Sequence, residues 1–187
     1  GGALDINTPD KANANYFAAM AFPLRDDHPD YPALLLGNYI LGGGSLSSRL
    51  ADRVRQKEGL SYGVASGLQA SSLDERCVFY MYAICNPENM PKVKTALREE
   101  LERILKEGVT EEELETAKKG YLQSMRVGLS DDSNLVQTLQ TNLSAGRTMQ
   151  YYADLESQVE RLTPAQVVEA LRKHVDPKQL YVVAAGD

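Results

Sequence analysis

The feature that most constrains the fold is a pair of strand-like runs joined by a short polar turn. The runs are Tyr62 to Ala70 and Arg76 to Ile84, and the turn is Ser71 to Glu75. A period of two along the second run places five apolar side chains on one side: Cys77, Phe79, Met81, Ala83 and Cys85. The pattern predicts an antiparallel hairpin with one buried face.

Cys77 and Cys85, the two cysteines of the chain, both lie on this buried side. In a straight strand their sulfurs would be roughly 26 Å apart, which is far beyond the reach of a disulfide. We therefore expect both to be small apolar core residues, and the redox compartment of the protein stays undetermined.

The rest of the chain adds two strands and several helices to the hairpin. Asn13 to Phe22 alternates and stops at Pro23, and Leu180 to Ala185 forms a final strand. Apolar periodicity and capping residues predict helices over Pro32 to Leu41, Ser47 or Ser48 to Glu58, Asn86 to Lys106, from Thr110 onward, Asn134 to Ala145, Gln150 to Arg161 and Pro164 to His174. The second of these helices has an apolar stripe of Leu46, Leu50 and Val54 and a left-handed stop at Gly59, and Thr110 to Glu113 has the form of a capping box. The sum is an α+β fold, with helices covering one face of a largely antiparallel sheet.

Length and charge exclude several classes of protein. We expect the 187 residues to form a single domain, and a start at Gly1 without an initiator Met suggests that it is cut from a longer chain. A net charge of −6 disfavours binding to nucleic acid, which needs clustered Lys and Arg. No run of about 18 apolar residues is present, so we expect no membrane span.

Familiar catalytic motifs are absent from the sequence. Gly42 to Gly44 lacks the following Gly-Lys-Ser/Thr of a phosphate loop, and we interpret it as a flexible connection between helices. His28 and His174, the only histidines, have no ligating neighbour at helical spacing, so we expect no metal site in this chain. No Gly-x-Ser-x-Gly motif is present, although a triad assembled in space is not excluded by spacing.

Arg55 and Tyr62 are the candidate catalytic residues. They lie seven residues apart across a helix-to-strand turn, where a guanidinium and a phenol could converge on one substrate oxygen. The alternative is that Arg55 is a surface residue at a helix end, within reach of Asp52 and Glu58, and that Tyr62 only fills a strand end. Periodicity alone leaves both interpretations open.

Several separated motifs resemble the pitrilysin/insulinase family of zinc metallopeptidases. In chain order, the motifs are LGGG, SSRL, the arginine at position 55, GLSY, NPEN, GVTEEELETAKKGYLQS and LTPAQVVEALRKHVDP. The resemblance covers nearly the whole chain from Asn13, and it is to the second, non-zinc half of these proteins, because His-x-x-Glu-His is missing here.

The resemblance implies a fold and a role. The fold would be a ferredoxin-like two-layer sandwich of the metallohydrolase type seen in mitochondrial processing peptidase. Two homologous halves would enclose a peptide chamber, with zinc held by the partner domain or subunit and none in this chain. Arg55 and Tyr62 would bind a peptide or unfolded protein substrate and stabilise the tetrahedral intermediate, and the isolated chain would be inactive.

Other functions remain open alongside this one. The chain is alternatively a catalytically silent structural or assembly subunit of the same fold, although the presence of both Arg55 and Tyr62 favours the peptidase role. A ferredoxin-like nucleic-acid-binding module is disfavoured by the acidic charge. Self-association into a homodimer through apolar surfaces is a further option, and the sequence allows both cytoplasm and bacterial periplasm.

Overall fold

The computed structural model describes residues 1–9 and 11–186, and a five-stranded sheet forms its centre. The strands are β1 (Gly2–Asn7), β2 (Ala14–Phe22), β3 (Ser61–Ala70), β4 (Cys77–Cys85) and β5 (Tyr181–Gly186). Their order across the sheet is β1-β5-β2-β4-β3, and all neighbours are antiparallel except β1 and β5. The predicted hairpin is β3 and β4, and the predicted α+β class with a largely antiparallel sheet is confirmed.

The α-helices of the described residues are α1 (Tyr31–Asn38), α2 (Met90–Glu107), α3 (Glu111–Ser130), α4 (Asp132–Ser144), α5 (Gln150–Glu160) and α6 (Pro164–His174). Thr110 begins α3 with the predicted capping box, in which its hydroxyl accepts the Glu113 N–H at 3.1 Å and Glu113 Oε2 accepts the Thr110 N–H at 2.8 Å. Thr163 begins α6 with a second capping box. None of these helices combines the length and apolar character needed to cross a bilayer.

The segment between α1 and β3 is less regular than its sequence suggests. π-Helical turns occupy Tyr39–Gly43 and Ala51–Lys57, and a 3₁₀ turn lies between them at Ser45–Ser47. The glycine run is a packing feature rather than the flexible connection that we expected. Gly42 is buried, and a Cβ there would lie 2.4 Å from the Ser66 backbone nitrogen, so only glycine allows this turn to pack on β3.

The helices cover one face of the sheet, and the hydrophobic core lies between them. The five residues of β4 with period two are all buried, together with Val93, Leu97, Leu101 and Ile104 of α2. Cys77 and Cys85 are free and buried in this layer, as predicted. The opposite face of the sheet carries exposed apolar side chains, among them Leu4, Ile6, Phe17, Tyr82 and Tyr181.

Two further features differ from expectation. β1 was not predicted, since a strand of six residues with exposed apolar side chains is recognised only through its pairing with β5, almost the whole chain away. Leu46 was predicted to share an apolar stripe with Leu50 and Val54, but it precedes the helix and is 52% exposed, whereas the other two are fully buried.

Candidate functional site

The candidate site is built on a short helix that ends just before β3. Residues 49–57 form this helix, π-helical from Ala51 onward, and we call it the arginine helix because it carries Arg49, Arg53 and Arg55. The Ser48 hydroxyl accepts a hydrogen bond from a first-turn N–H at 3.4 Å, and Gly59 follows the helix with φ of +60°. The predicted cap and left-handed stop are both present.

Two of the three arginines anchor this helix to the helical layer. Arg49 forms two parallel hydrogen bonds with Glu113 of α3, Nε to Oε1 and Nη2 to Oε2, each 2.8 Å long. Arg53 bonds to three carboxylates at 2.8, 2.6 and 3.2 Å, those of Glu58, Glu99 and Glu100. Paired in this way, Arg49 and Arg53 act as structural ties.

Arg55 is the exception in this helix. Within residues 1–9 and 11–186, no carboxylate lies within 4 Å of its guanidinium, and its side chain is exposed. The two acids that the sequence places within its reach are bonded to other cations: Asp52 to Lys57 at 2.7 Å, and Glu58 to Arg53 at 2.8 Å. The donors of Arg55 are therefore available to a ligand.

Tyr62 projects from an irregularity at the start of β3. Ser61 pairs with Cys85 and Gly63 with Ile84, so Tyr62 is left between them as the extra residue of a β-bulge. The Ser61 hydroxyl stabilises the bulge, since it donates to the Ile84 carbonyl at 2.6 Å and accepts from the Gly63 N–H at 3.1 Å. Bulges commonly redirect a side chain, and Tyr62 is 57% exposed here.

Arg55 and Tyr62 line the same open depression on the surface. Its volume is about 400 Å³, and the turn between them, residues 59–61, also lines it. Three asparagines complete the lining, namely Asn13, Asn86 and Asn89. These residues offer amide, hydroxyl, phenol and guanidinium groups but no imidazole, thiolate or carboxylate. They do not fit a zinc ion, and they are suited to hydrogen bonding with peptide groups.

The sequence analysis missed the three asparagines. Asn13 directly precedes β2 and Asn86 directly follows β4, and these two ends are neighbours because Ala14 pairs with Cys85. The Asn89 amide donates to the Leu60 carbonyl at 3.3 Å and so ties the turn to the segment before α2. The sequence signal for two of them is an asparagine next to the end of each predicted strand, at ends that become neighbours once the strands pair.

A second polar cluster, which was not expected from the sequence, joins His28, Asp30 and His174. His174 Nε2 lies 2.8 Å from Asp30 Oδ2, and His28 Nδ1 lies 3.9 Å from the same oxygen. Burial raises the pKa of Asp30, but hydrogen bonds from Lys173 and His174 outweigh it and hold that pKa below its usual value. Helical spacing could not reveal this cluster, because two of its members are 144 residues apart.

Comparison with protein families matches residues 1–121 to the family described as peptidase M16 inactive domain. An uncharacterized zinc protease from Streptomyces coelicolor is 35% identical over 70% of this chain and 28% of the relative. A non-peptidase homolog from Helicobacter pylori is 25% identical over 88% of this chain and 37% of the relative. The chain thus spans only about a third of the length of these curated relatives.

Solved structures with the same fold were also found. The crystal structure of a peptidase M16 inactive domain from Pseudomonas fluorescens matches with a TM-score of 0.85 and 29% identity, over 99% of this chain and 43% of that chain. A protease from Helicobacter pylori matches with a TM-score of 0.84 and 20% identity, over 98% of this chain and 43% of that chain. The second likeness concerns the fold alone.

Proposed function

Since the chain belongs to the peptidase M16 family, as one of its inactive domains, we propose that it lends hydrogen-bond donors to a zinc site held by a homologous partner domain or subunit. The family assignment confirms the resemblance to the non-zinc half of these peptidases. The sequence has no His-x-x-Glu-His, so catalytic zinc is expected in the partner and not in this chain. The substrate proposed is a peptide or an unfolded protein.

The observation that carries this proposal is the contrast among the three arginines of one helix. Arg49 and Arg53 are bonded to carboxylates, whereas Arg55 has no carboxylate within 4 Å in the described part of the chain and lines a depression with Tyr62. An exposed arginine with two acids nearby in sequence would ordinarily pair with one of them. Its availability, next to a phenol redirected by a bulge, supports a role toward a ligand.

The chemistry of the two groups suits peptide hydrolysis. Attack on a peptide carbonyl places negative charge on its oxygen, and donors already fixed near that oxygen stabilise the tetrahedral species. The guanidinium of Arg55 offers several N–H donors in a planar fork, and the phenol of Tyr62 adds one O–H donor. The partner's zinc would supply Lewis-acid chemistry, while this chain binds and orients the carbonyl group.

The asparagines extend the proposal to substrate binding. An asparagine amide has both a donor and an acceptor, which match the C=O and N–H of a peptide unit. Asn13 and Asn86 are exposed at the depression, and the Asn89 side chain is used on the Leu60 carbonyl. We therefore assign peptide binding to Asn13 and Asn86, and positioning of the turn to Asn89.

The experiment compares variants of the protein assembled with its zinc-bearing partner, with an unstructured peptide as substrate. Loss of one such donor typically lowers the rate by about 10²- to 10³-fold, so we expect a fall of this order for Arg55→Ala and for Tyr62→Phe, with unchanged zinc content. Arg55→Lys keeps the positive charge but loses the planar fork of N–H donors, so its rate of hydrolysis should lie between those of these variants and the wild type. Lys92→Ala, which removes an exposed cation of α2 that has no ion-pair partner among the described residues, is the control and should behave as wild type.

A catalytically silent structural subunit is the second candidate, favoured by the relative named as a non-peptidase homolog. In that case the chain would bind its partner without any peptide hydrolysis, and Arg55→Ala would leave assembly unchanged. Hydrolysis that needs both components but is indifferent to Arg55 and Tyr62 would instead refute the assigned roles while keeping the family assignment.

A further inference from the structure

We propose that His28, Asp30 and His174 bind a divalent transition-metal ion of the zinc type, which fastens the loop after β2 to the C-terminal end of α6. His28 lies in that loop, Asp30 directly precedes α1, and His174 is the last residue of α6. This inference is independent of the proposed function. It departs from our expectation, based on helical spacing, that this chain has no metal ligands.

The geometry of the three ligand atoms supports the proposal. Each of His28, Asp30 and His174 offers one ligand atom, and the three atoms lie within 4.8 Å of one another. Zinc binds nitrogen and oxygen at about 2.0–2.2 Å, so ligand atoms in a tetrahedral site are roughly 3.4 Å apart. The separations from Asp30 Oδ2, 2.8 Å to His174 and 3.9 Å to His28, bracket this value. Small side-chain movements are enough to close the site.

The two imidazole rings lie side by side. Their rings meet edge to face, with centroids 5.6 Å apart, and the Phe22 ring stacks on His174 at 5.5 Å. Two imidazoles and one carboxylate are a ligand set that zinc uses, with the remaining position left to water. All three residues are half-buried, so the ion would be partly shielded and still reachable from solvent.

Two existing interactions compete with the ion. The Asp30 N–H donates to His28 Nδ1 at 3.0 Å, and Lys173 Nζ lies 2.7 Å from Asp30 Oδ2. The Lys173 side chain is 58% exposed and can move into solvent. While it is bonded to Asp30, its ammonium group neutralises the carboxylate that the ion would bind. Lys173 therefore acts as a competitor for the carboxylate, which gives the proposal a directional test.

The position of the cluster separates it from Arg55 and Tyr62. Asn13, at the start of β2, lines their depression, whereas His28 follows the end of that strand. The nine residues of β2 span about 30 Å. An ion at this cluster would not contact the peptide at the other end of the sheet, and its effect would be on the stability of the loop and α6.

The test is a calorimetric titration of the metal-free chain with Zn²⁺ alone, followed by Co²⁺ absorption as a report on the ligands. We expect one ion per chain, with binding weakened about tenfold or more in His28→Gln and in His174→Gln. Glu169→Gln, an exposed acid of the same helix, is the matched control and should bind as wild type. Lys173→Ala should bind the ion several-fold more tightly, because the competing cation is gone.

The outcomes against the proposal are equally distinct. Absence of binding to the wild-type chain, or binding that both histidine variants retain, would overturn it. So would unchanged affinity in Lys173→Ala, since the geometry makes that lysine a competitor. Circular dichroism of each variant checks that the fold is kept. None of these results bears on Arg55 or Tyr62, whose test is peptide hydrolysis by the assembled enzyme.

Discussion

Arg49 and Glu113 lie 64 residues apart in the sequence and join the arginine helix to the start of α3 by two parallel hydrogen bonds of 2.8 Å. Arg49 also donates to the Gly108 carbonyl at 2.8 Å, in the turn between α2 and α3. Glu113 serves at the same time as the acidic member of the Thr110 capping box. The Glu113 carboxylate thus has two roles: it caps the N-terminus of α3, and it anchors the arginine helix, which carries Arg55.

Replacement of this carboxylate should destabilise the protein in a pH-dependent way. Burial raises the pKa of Glu113, but hydrogen bonds from Arg49 and the Thr110 backbone outweigh it and hold that pKa below the unfolded value of 4.5. The stabilisation is therefore present above about pH 4.5 and is lost as the pH falls through the folded pKa. We expect Glu113→Gln to lower the free energy of unfolding by about 1–2 kcal/mol at pH 7 and by less at pH 3.

Urea denaturation at the two pH values measures this difference. Glu112→Gln is the matched control, since its side chain is exposed on the same helical turn, and it should cost only a few tenths of a kcal/mol. A cost for Glu113→Gln that is equal at pH 7 and pH 3 would show that the ion pair with Arg49 does not contribute to stability.

Two glycines should respond in opposite directions to the same substitution. Gly59 has φ of +60°, where an L residue is strained although nothing would touch its Cβ. We expect Gly59→Ala to destabilise by about 1 kcal/mol. Gly128 lies in α3, also with nothing near a Cβ, so Gly128→Ala should stabilise by about 0.5–1 kcal/mol. Thermal unfolding of both variants is the measurement, and equal shifts would contradict the assigned backbone conformations.

Because the helices cover only one face of the sheet, replacing two phenylalanines on neighbouring strands should destabilise the protein by different amounts. Phe79 on β4 is fully buried under the helices, whereas Phe17 on β2 is 45% exposed on the open face and stacks on Tyr80 at 5.7 Å. We expect Phe79→Ala to cost about 3–5 kcal/mol and Phe17→Ala about 1 kcal/mol. Chemical denaturation measures both, and similar costs would mean that the open face is covered in the isolated chain.

Most of the helices and strands could be predicted from the sequence, because their signals are local. The period of two through β4 identified its buried face, the capping box at Thr110 marked the start of α3, and Thr163-Pro164 marked the start of α6. β1 escaped prediction, since its six residues become a strand only by pairing with β5. The π-helical turns escaped as well, because the packing of Gly42 on Ser66 is a long-range contact.

For the candidate site, the sequence by itself determined which chemical groups are available and the family they resemble. It placed Arg55 and Tyr62 across one turn and bounded that turn with Gly59, because helix ends and strand starts have local signatures. Only the tertiary structure decided that Arg49 and Arg53 are paired while Arg55 has no carboxylate partner among the residues the structure describes, that a bulge carries Tyr62, and that His28 lies beside His174. These pairs join residues from distant parts of the chain. Such pairs form only when the elements pack together, and local sequence patterns do not predict that packing.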